Sequence, residues 1–449
     1  MRIASLAIVG ITLATQLAAQ WFEAVAAAPP GRLYRAAMVT DVTGDVLLFG
    51  GRTFPATGFV TNKTWSFDGA NWTLRPQTVS PPAGWGMRLV LDSLRSVVVA
   101  YGGYQTSVLY PPLDETWEWN GATWTRVYPA HTPGGLGFHG MSYDAIRHRV
   151  VVFGGTRQNQ QDVAETWEYD GVDWTQVTTA NHPFARRDHS MCFHAGSGRT
   201  VLFGGVNLQL LSDSVTWTYD GSDWTPLPIL GATPGARIGA CFDYDSVRDV
   251  CVLTAGAAQS PPGIATDTWE FDGTSWAAIP TSIVVHDGAA MAFDANRRQM
   301  VLHGGNMGTV LFPDDTWTYG ASLRGFGSGC VGTNGVPTLM AAHGPRLGQS
   351  WSLTVANLNP AVNLVLLVCG FAPTSAVDLG FLGMPGCEAL TSLDIMVGVA
   401  GGGGAANWSW PSVAGTFGAS FFCQALALDP PANAAGLTLS NALAATLGF

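Results

Sequence analysis

Six side chains have the types and positions to work together: Arg35, His139, Arg187, Asp188, His189 and Asp287. Carboxylate, imidazole and guanidinium groups can pass protons and hydrogen-bond a polyhydroxylated ligand, and none of that chemistry needs a cofactor. The two histidines have no carboxylate or cysteine at metal-ligand spacing, so no metal is expected. The six therefore read as ligand-binding groups, with none assigned as catalytic. Arg35, His139 and His189 line up at one register of a repeated pattern, with Met87, Ala240 and Ala289 in the other units. Three residues earlier come Arg32, Gly84, Leu136, Arg186, Arg237 and His286. The recurrence of Arg186 and Arg237 marks them mainly as ties between neighbouring units.

Positioning these groups requires the repeat itself, and the tryptophans reveal it. They fall in pairs seven residues apart: Trp65/Trp72, Trp117/Trp124, Trp167/Trp174, Trp217/Trp224 and Trp269/Trp276. Another first member, Trp317, has no partner after it. First members are 52, 50, 50, 52 and 48 residues apart. Upstream of each lies an apolar run ending in small residues, as in Gly154-Gly155, Gly204-Gly205 or Ala255-Gly256. A period near 50 with paired glycines and spaced aromatics predicts propeller blades of four antiparallel strands.

Several details follow. Asp-Gly or Asn-Gly after the first tryptophan, as in Asp68-Gly69 and Asn120-Gly121, predicts a two-residue hairpin turn. Asp and Arg three apart (Asp92/Arg95, Asp144/Arg147, Asp245/Arg248, Asp294/Arg297) read as exposed turn devices of small energetic weight. Trp21 matches the partner that Trp317 lacks, so the segment after Trp21 is expected to supply the last blade's fourth strand. That latch would close a ring of six blades. The long connections between strands two and three, and between strands four and one, then share a face with the channel entrance.

Composition narrows the partners. Of 449 residues only 12% are charged, the formal net charge is −11, and Lys63 is the single lysine. Nucleic acid and anionic membrane surfaces are excluded as expected partners. Met1-Arg2, an apolar run to Leu17 and Ala18-Ala19-Gln20 describe a signal peptide over residues 1–20, of bacterial type. The expected location is secreted, periplasmic or cell-surface, with no membrane span after signal removal. The seven cysteines of an exported chain invite disulfides.

The glycine pairs and spaced tryptophans resemble the kelch family of β-propellers, from Trp21 to about Gly320. The expected fold class is all-β: a six-bladed kelch-type β-propeller over residues 21–320, closed by the N-terminal strand, then a small antiparallel β-sandwich over 324–449. Gly327 to Thr333 and Gly383 to Cys387 resemble a C-terminal module of secreted bacterial proteins with propeller domains. That resemblance implies pairing of Cys330 with Cys387. Cys369 and Cys423 each lie in an expected strand, either as a second bridge or as two buried thiols. Gly401 to Gly404 reads as a loop. The leading functional expectation is binding of an extracellular carbohydrate or protein through the loop face. The alternative is a sugar-modifying enzyme at the channel mouth. It would be similar to a mutarotase or epimerase using Arg187, Asp188, His189 and Asp287, or to galactose oxidase. Cys192, Cys241 and Cys251 fall inside expected strands, which argues against the copper site of the latter.

Overall fold

The computed structural model describes residues 21–446 apart from short segments, the longest being 54–58, 280–285, 307–312, 342–350 and 411–419. The expected signal segment 1–20 and residues 327–329 of the C-terminal motif lie outside the described residues. The chain divides into two compact units, Gln20–Ser322 and Leu323–Gly448. Among the described residues both are built from strands alone.

In the first unit each period forms a four-stranded antiparallel sheet. The third is representative: Gly140–Asp144, Arg149–Phe153, Thr166–Tyr169 and Trp174–Val177 lie side by side in chain order. Its second strand needs no polar alternation, because Val150 to Phe153 are covered on both faces. Blades one to six are numbered here from the first strands Ala37–Thr40, Arg88–Asp92, Gly140–Asp144, Arg187–His194, Cys241–Asp245 and Ala290–Asp294. Each first strand packs on the next, and the sixth packs on the first, around a channel of about 450 Å³. Blade six takes its outer strand from the chain's beginning: Phe22–Ala24 pairs antiparallel with Thr316–Gly320, Phe22 opposite Thr318.

The paired tryptophans have a common bonding rule. The second of each pair donates its indole N–H to the threonine preceding the first tryptophan of the previous blade. The distances are 2.9 Å for Trp124 to Thr64, 3.0 Å for Trp174 to Thr116, 2.9 Å for Trp224 to Thr166 and 2.8 Å for Trp276 to Thr216. Trp72 reaches Thr316 of blade six at 2.9 Å, and Trp21 reaches Thr268 of blade five at 3.0 Å. Trp21 also stacks on Tyr319 at 5.1 Å, as Trp174 does on Tyr169 at 5.0 Å. An indole buried without an acceptor would be destabilising, so the rule fixes residue type as well as size.

Two expectations change. The Asp-Gly turns are four-residue loops, with Phe67 paired to Trp72 across residues 68–71. Asp68 Oδ1 accepts from the amides of Ala70 and Asn71, and only the glycine takes a positive φ. The side-chain acceptor replaces a backbone turn, which is why Asp or Asn recurs there. The Asp–Arg pairs are not exposed ornaments, since their aspartates are buried. Arg147 binds Asp144 and extends to Glu168, which accepts from Tyr219 of the next blade at 2.9 Å. Arg95, Glu118 and Tyr169, and again Arg248, Glu270 and Tyr319, repeat the arrangement.

In the second unit eight strands form one sheet whose halves fold over a shared core. Leu339, Trp351, Leu353 and Val355 of one half meet Val365, Leu367, Ala425 and Ala427 of the other. Cys330–Cys387 and Cys369–Cys423 are both bridged, the second across directly opposed strand positions. Gly401 and Gly402 end a strand and pair with Ala406 and Ala405, so they belong to a hairpin rather than a free loop. The short strand pair Pro373–Asp378 and Glu388–Thr391 completes the unit.

Candidate functional site at the channel mouth

One residue at the threshold of each blade has a left-handed backbone: Arg35, Gly86, Phe138, Asp188, Gly239 and Gly288, with φ from 54° to 69°. This conformation aims each peptide at its neighbour. Gly86 N–H donates to Arg35 C=O at 3.0 Å, Asp188 to Phe138 at 2.9 Å, and Gly239 to Asp188 at 2.9 Å. Gly288 donates to Gly239 at 3.3 Å, and Arg35 donates to Gly288 at 2.8 Å. The mouth is thus framed by an annulus of main chain bonded at five of its six junctions, from blade three through four, five, six and one to blade two. Side chains are excluded at some places as well as strained: a Cβ on Gly288 would lie 2.5 Å from the Tyr34 ring.

The glycine pairs bring the blades close enough for this. The first glycine of each lies under a carbonyl of the next blade, so a Cβ on Gly102 would meet Leu136 O at 2.4 Å. The second donates to that same carbonyl, as Gly103 does to Leu136 at 2.8 Å. Ala255 takes the first place in blade five with φ of 60° and is fully buried.

Arg35, Phe138 and Asp188 are the side chains the annulus carries. The Arg35 guanidinium pairs with the Asp188 carboxylate, three blades away, and lies 4.6 Å from the Phe138 ring centre. The residues just before the annulus form a second tier: Tyr34, Trp85, Gly137, Arg187, Ile238 and Asp287. Tyr34 Oη donates to Asp287 Oδ2 at 3.1 Å. Trp85 packs edge-on to Phe138 at 5.1 Å, near Tyr104 at 6.3 Å, and under the Arg52 guanidinium at 4.9 Å. An aromatic cluster and a charged cluster therefore lie side by side at this end of the channel, both largely buried.

Burial opposes charge on Arg35, but Asp188, Tyr34 and Asp287 outweigh it and raise its pKa further. Burial pushes the Asp287 carboxyl up, with Arg35 pulling the other way. Burial likewise raises the Tyr34 hydroxyl. The mouth thus combines a permanent cation with a carboxyl whose charge is costly.

Of the six residues singled out in the sequence, Arg35, Asp188 and Asp287 converge here. Arg187 stands in the second tier and is held by Asp162, at 2.8 and 3.1 Å. His139 and His189 are not exposed at the mouth. Both are fully buried between blades, edge-on to Tyr101 at 5.8 Å and Phe153 at 5.7 Å. Burial and the Arg88 charge hold His139 down to about 3, while burial and Arg186 hold His189 well below its usual pKa.

The register of blade one shifts by one residue. Ala36, packed against Gly51, is the counterpart of His139 against Gly155, so Arg35 aligns with Phe138 and Asp188. Residue type had matched Arg32 to Arg186, whereas the backbone puts Leu33 there: Gly304 meets Leu33 O as Gly154 meets Arg186 O. The Arg186 and Arg237 side chains bind within their own blades, and in the case of Arg186 it is the main chain that crosses to a neighbour. Arg186 donates to Gly204 O at 2.8 Å and its own carbonyl accepts from Gly155 of the previous blade at 2.8 Å. Arg237 grips Asp267 at 2.9 and 3.0 Å. Sequence reasoning missed Tyr34, Trp85 and Phe138. Trp85 carried a signal, being a tryptophan outside the seven-residue pairs and just before an annulus glycine. Among the described residues no group of three or more His, Cys, Asp or Glu could hold a metal ion.

Comparison with known proteins bears on the fold. Residues 36–256 match the family described as the KLHDC2/KLHL20/DRC7 Kelch-repeats domain. Among solved structures, the chain is similar to the one titled "Structure of YjhT", with 12% identity and a TM-score of 0.50 over 65% of this chain and 96% of that chain. At that identity the likeness is one of fold. The parainfluenza virus 5 hemagglutinin-neuraminidase ectodomain shares 8% identity at a TM-score of 0.24, over 95% of this chain and 82% of that chain, and carries no argument. No curated protein matches the chain.

Proposed function

We propose that the protein, whose residues 36–256 match a kelch-repeat domain family and so suggest a binding or interaction role, is an exported binding protein that takes a carbohydrate at the channel mouth. One observation carries the reading: Arg35, Asp188, Asp287 and Tyr34 converge beside the aromatic cluster of Trp85, Tyr104 and Phe138. A sugar offers hydroxyls to carboxylate and guanidinium groups and C–H faces to aromatic rings, so its chemistry matches both clusters. The N-terminal composition and the paired cysteines of the second unit support export.

The test is binding of the purified chain to a broad glycan panel, with Tyr34→Phe and Asp287→Asn beside the wild type. Binding to at least one glycan, weakened about tenfold in each variant at unchanged melting temperature, is expected. No glycan bound across the panel overturns the carbohydrate reading and directs the search to a protein ligand on the same face. Accelerated mutarotation of a bound reducing sugar would turn the binding protein into an enzyme.

A further inference from the structure

We infer that Cys192 and Cys251 form a disulfide that joins blade four to blade five. Cys192 lies on the first strand of blade four, and Cys251 on the second strand of blade five, Val250–Thr254. Both are buried, and their Sγ atoms meet at 2.7 Å across the wedge between the blades.

The meeting point recurs around the ring. Strand register makes Ser142 the counterpart of Cys192, opposite Val151 as Cys192 is opposite Val201. It makes Thr200 the counterpart of Cys251, opposite Phe193 as Cys251 is opposite Tyr244. Ser142 and Thr200 meet between blades three and four, oxygen to oxygen, at 3.2 Å. Val90 and Val150 take the same places between blades two and three and share one apolar cluster. A fixed position therefore brings two side chains together at successive interfaces, matched first by apolar contact, then by hydroxyls, then by thiols. Thiols so placed need only a small approach to reach bonding distance, about 2.05 Å.

The chemistry is thiol–disulfide exchange with a disulfide oxidant such as oxidised glutathione. The two cysteines each lose a proton and together give up two electrons. Their S–S bond forms as the oxidant's S–S bond breaks, and the oxidant leaves as two thiols. Burial raises both thiols above their usual pKa and encloses them, so the exchange takes place before blades four and five close. The two bridges of the second unit require the same oxidising conditions during folding. Cys241 remains as the odd cysteine and donates its S–H to Ala289 C=O at 3.3 Å. The inference stands independently of the ligand.

The test uses the full chain folded in the presence of oxidised glutathione, then alkylated in denaturant without reductant, digested and read by mass spectrometry. The expected product is a linked pair of Cys192 and Cys251 peptides, two hydrogens lighter than the separate peptides, with Cys241 alkylated. Alkylation of both Cys192 and Cys251 in chains whose other two bridges are intact overturns the inference, as does a link from either to Cys241. A second arm replaces the pair by Cys192→Ser with Cys251→Thr, copying Ser142 and Thr200. Dithiothreitol should lower the propeller's melting temperature in the wild type by several degrees more than in this variant; equal shifts overturn the inference.

Discussion

Arg35 of blade one and Asp188 of blade four stand on equivalent left-handed backbone positions, and their side chains pair across the channel mouth. The side chains are 14% and 9% exposed, so the pair lies in the regime where desolvation matters. Such a pair is weak evidence for stability when intact and expensive to break on one side only.

Asp188→Asn keeps the shape but leaves Arg35 with Asp287 as its nearest remaining carboxylate. The expected loss is about 3 kcal/mol, measured as a lower urea midpoint at unchanged slope. Arg35→Met together with Asp188→Asn should recover part of it, because no unmatched charge is left. A loss under about 0.5 kcal/mol would place the pair with ordinary solvated ones.

The annulus predicts a contrast among glycines. Gly288→Ala combines positive φ with a Cβ 2.5 Å from Tyr34, and Gly239→Ala combines it with a contact 2.7 Å from Asp287 Oδ1. Gly31→Ala also has positive φ but meets nothing within 4 Å. Strain alone should cost about 1 kcal/mol at Gly31, and the two annulus variants should cost about 2–3 kcal/mol. Equal melting temperatures for all three would show that the mouth yields freely.

Acid should destabilise the propeller. Burial holds His139 down to about 3 and His303 to about 4, and lowers His189 and His286 as well. The unfolded chain protonates these rings near 6.5, where the fold refuses the proton. Their stabilising effect is therefore complete above 6.5 and is lost as pH falls toward 3. Asp243 acts in the opposite sense, since burial pushes it up to about 6 and the fold retains a proton that the unfolded chain releases near 3.8. Asp287 and Asp45, also raised by burial, act in the same sense as Asp243, so four histidines stand against three carboxyls and set the sign. The melting temperature should drop between pH 7.5 and 5, and drop further in Asp243→Asn; a flat profile would mean that solvent reaches the histidines.

The N-terminal strand can be tested at Trp21. Trp21→Ala removes the bond to Thr268 and the stack on Tyr319, which should cost about 3–5 kcal/mol. Trp21→Phe keeps the stack and loses the bond, and should cost about 1 kcal/mol. If both variants melt with the wild type, the strand Phe22–Ala24 contributes nothing to the ring.

Blade architecture was legible because it is written in period and residue type. Trp65, Trp117, Trp167, Trp217 and Trp269 mark third strands, and the glycine pairs mark where a neighbour's carbonyl presses. Trp21 could be assigned because a wedge lacking its indole leaves a recognisable gap in the count. The mouth was harder, since its residues differ from blade to blade by design of the site. Phe138 and Asp188 share a backbone conformation, not a chemistry, and no residue-type pattern records a left-handed φ when half its occupants are not glycine. Matching arginine with arginine thus slipped blade one by a residue. The histidines misled for a related reason: a ring buried between blades and one facing a ligand look the same as letters.

The main-chain annulus also separates size from selectivity. Its gauge is set by peptide groups bonded to peptide groups, so the width of the backbone frame does not depend on what Arg35, Phe138 or Asp188 happen to be. Replacing those side chains, or Tyr34 and Trp85 behind them, would alter which molecule is recognised while leaving the socket at the same calibre. Descendants of this scaffold could diverge in taste without relearning how to fold.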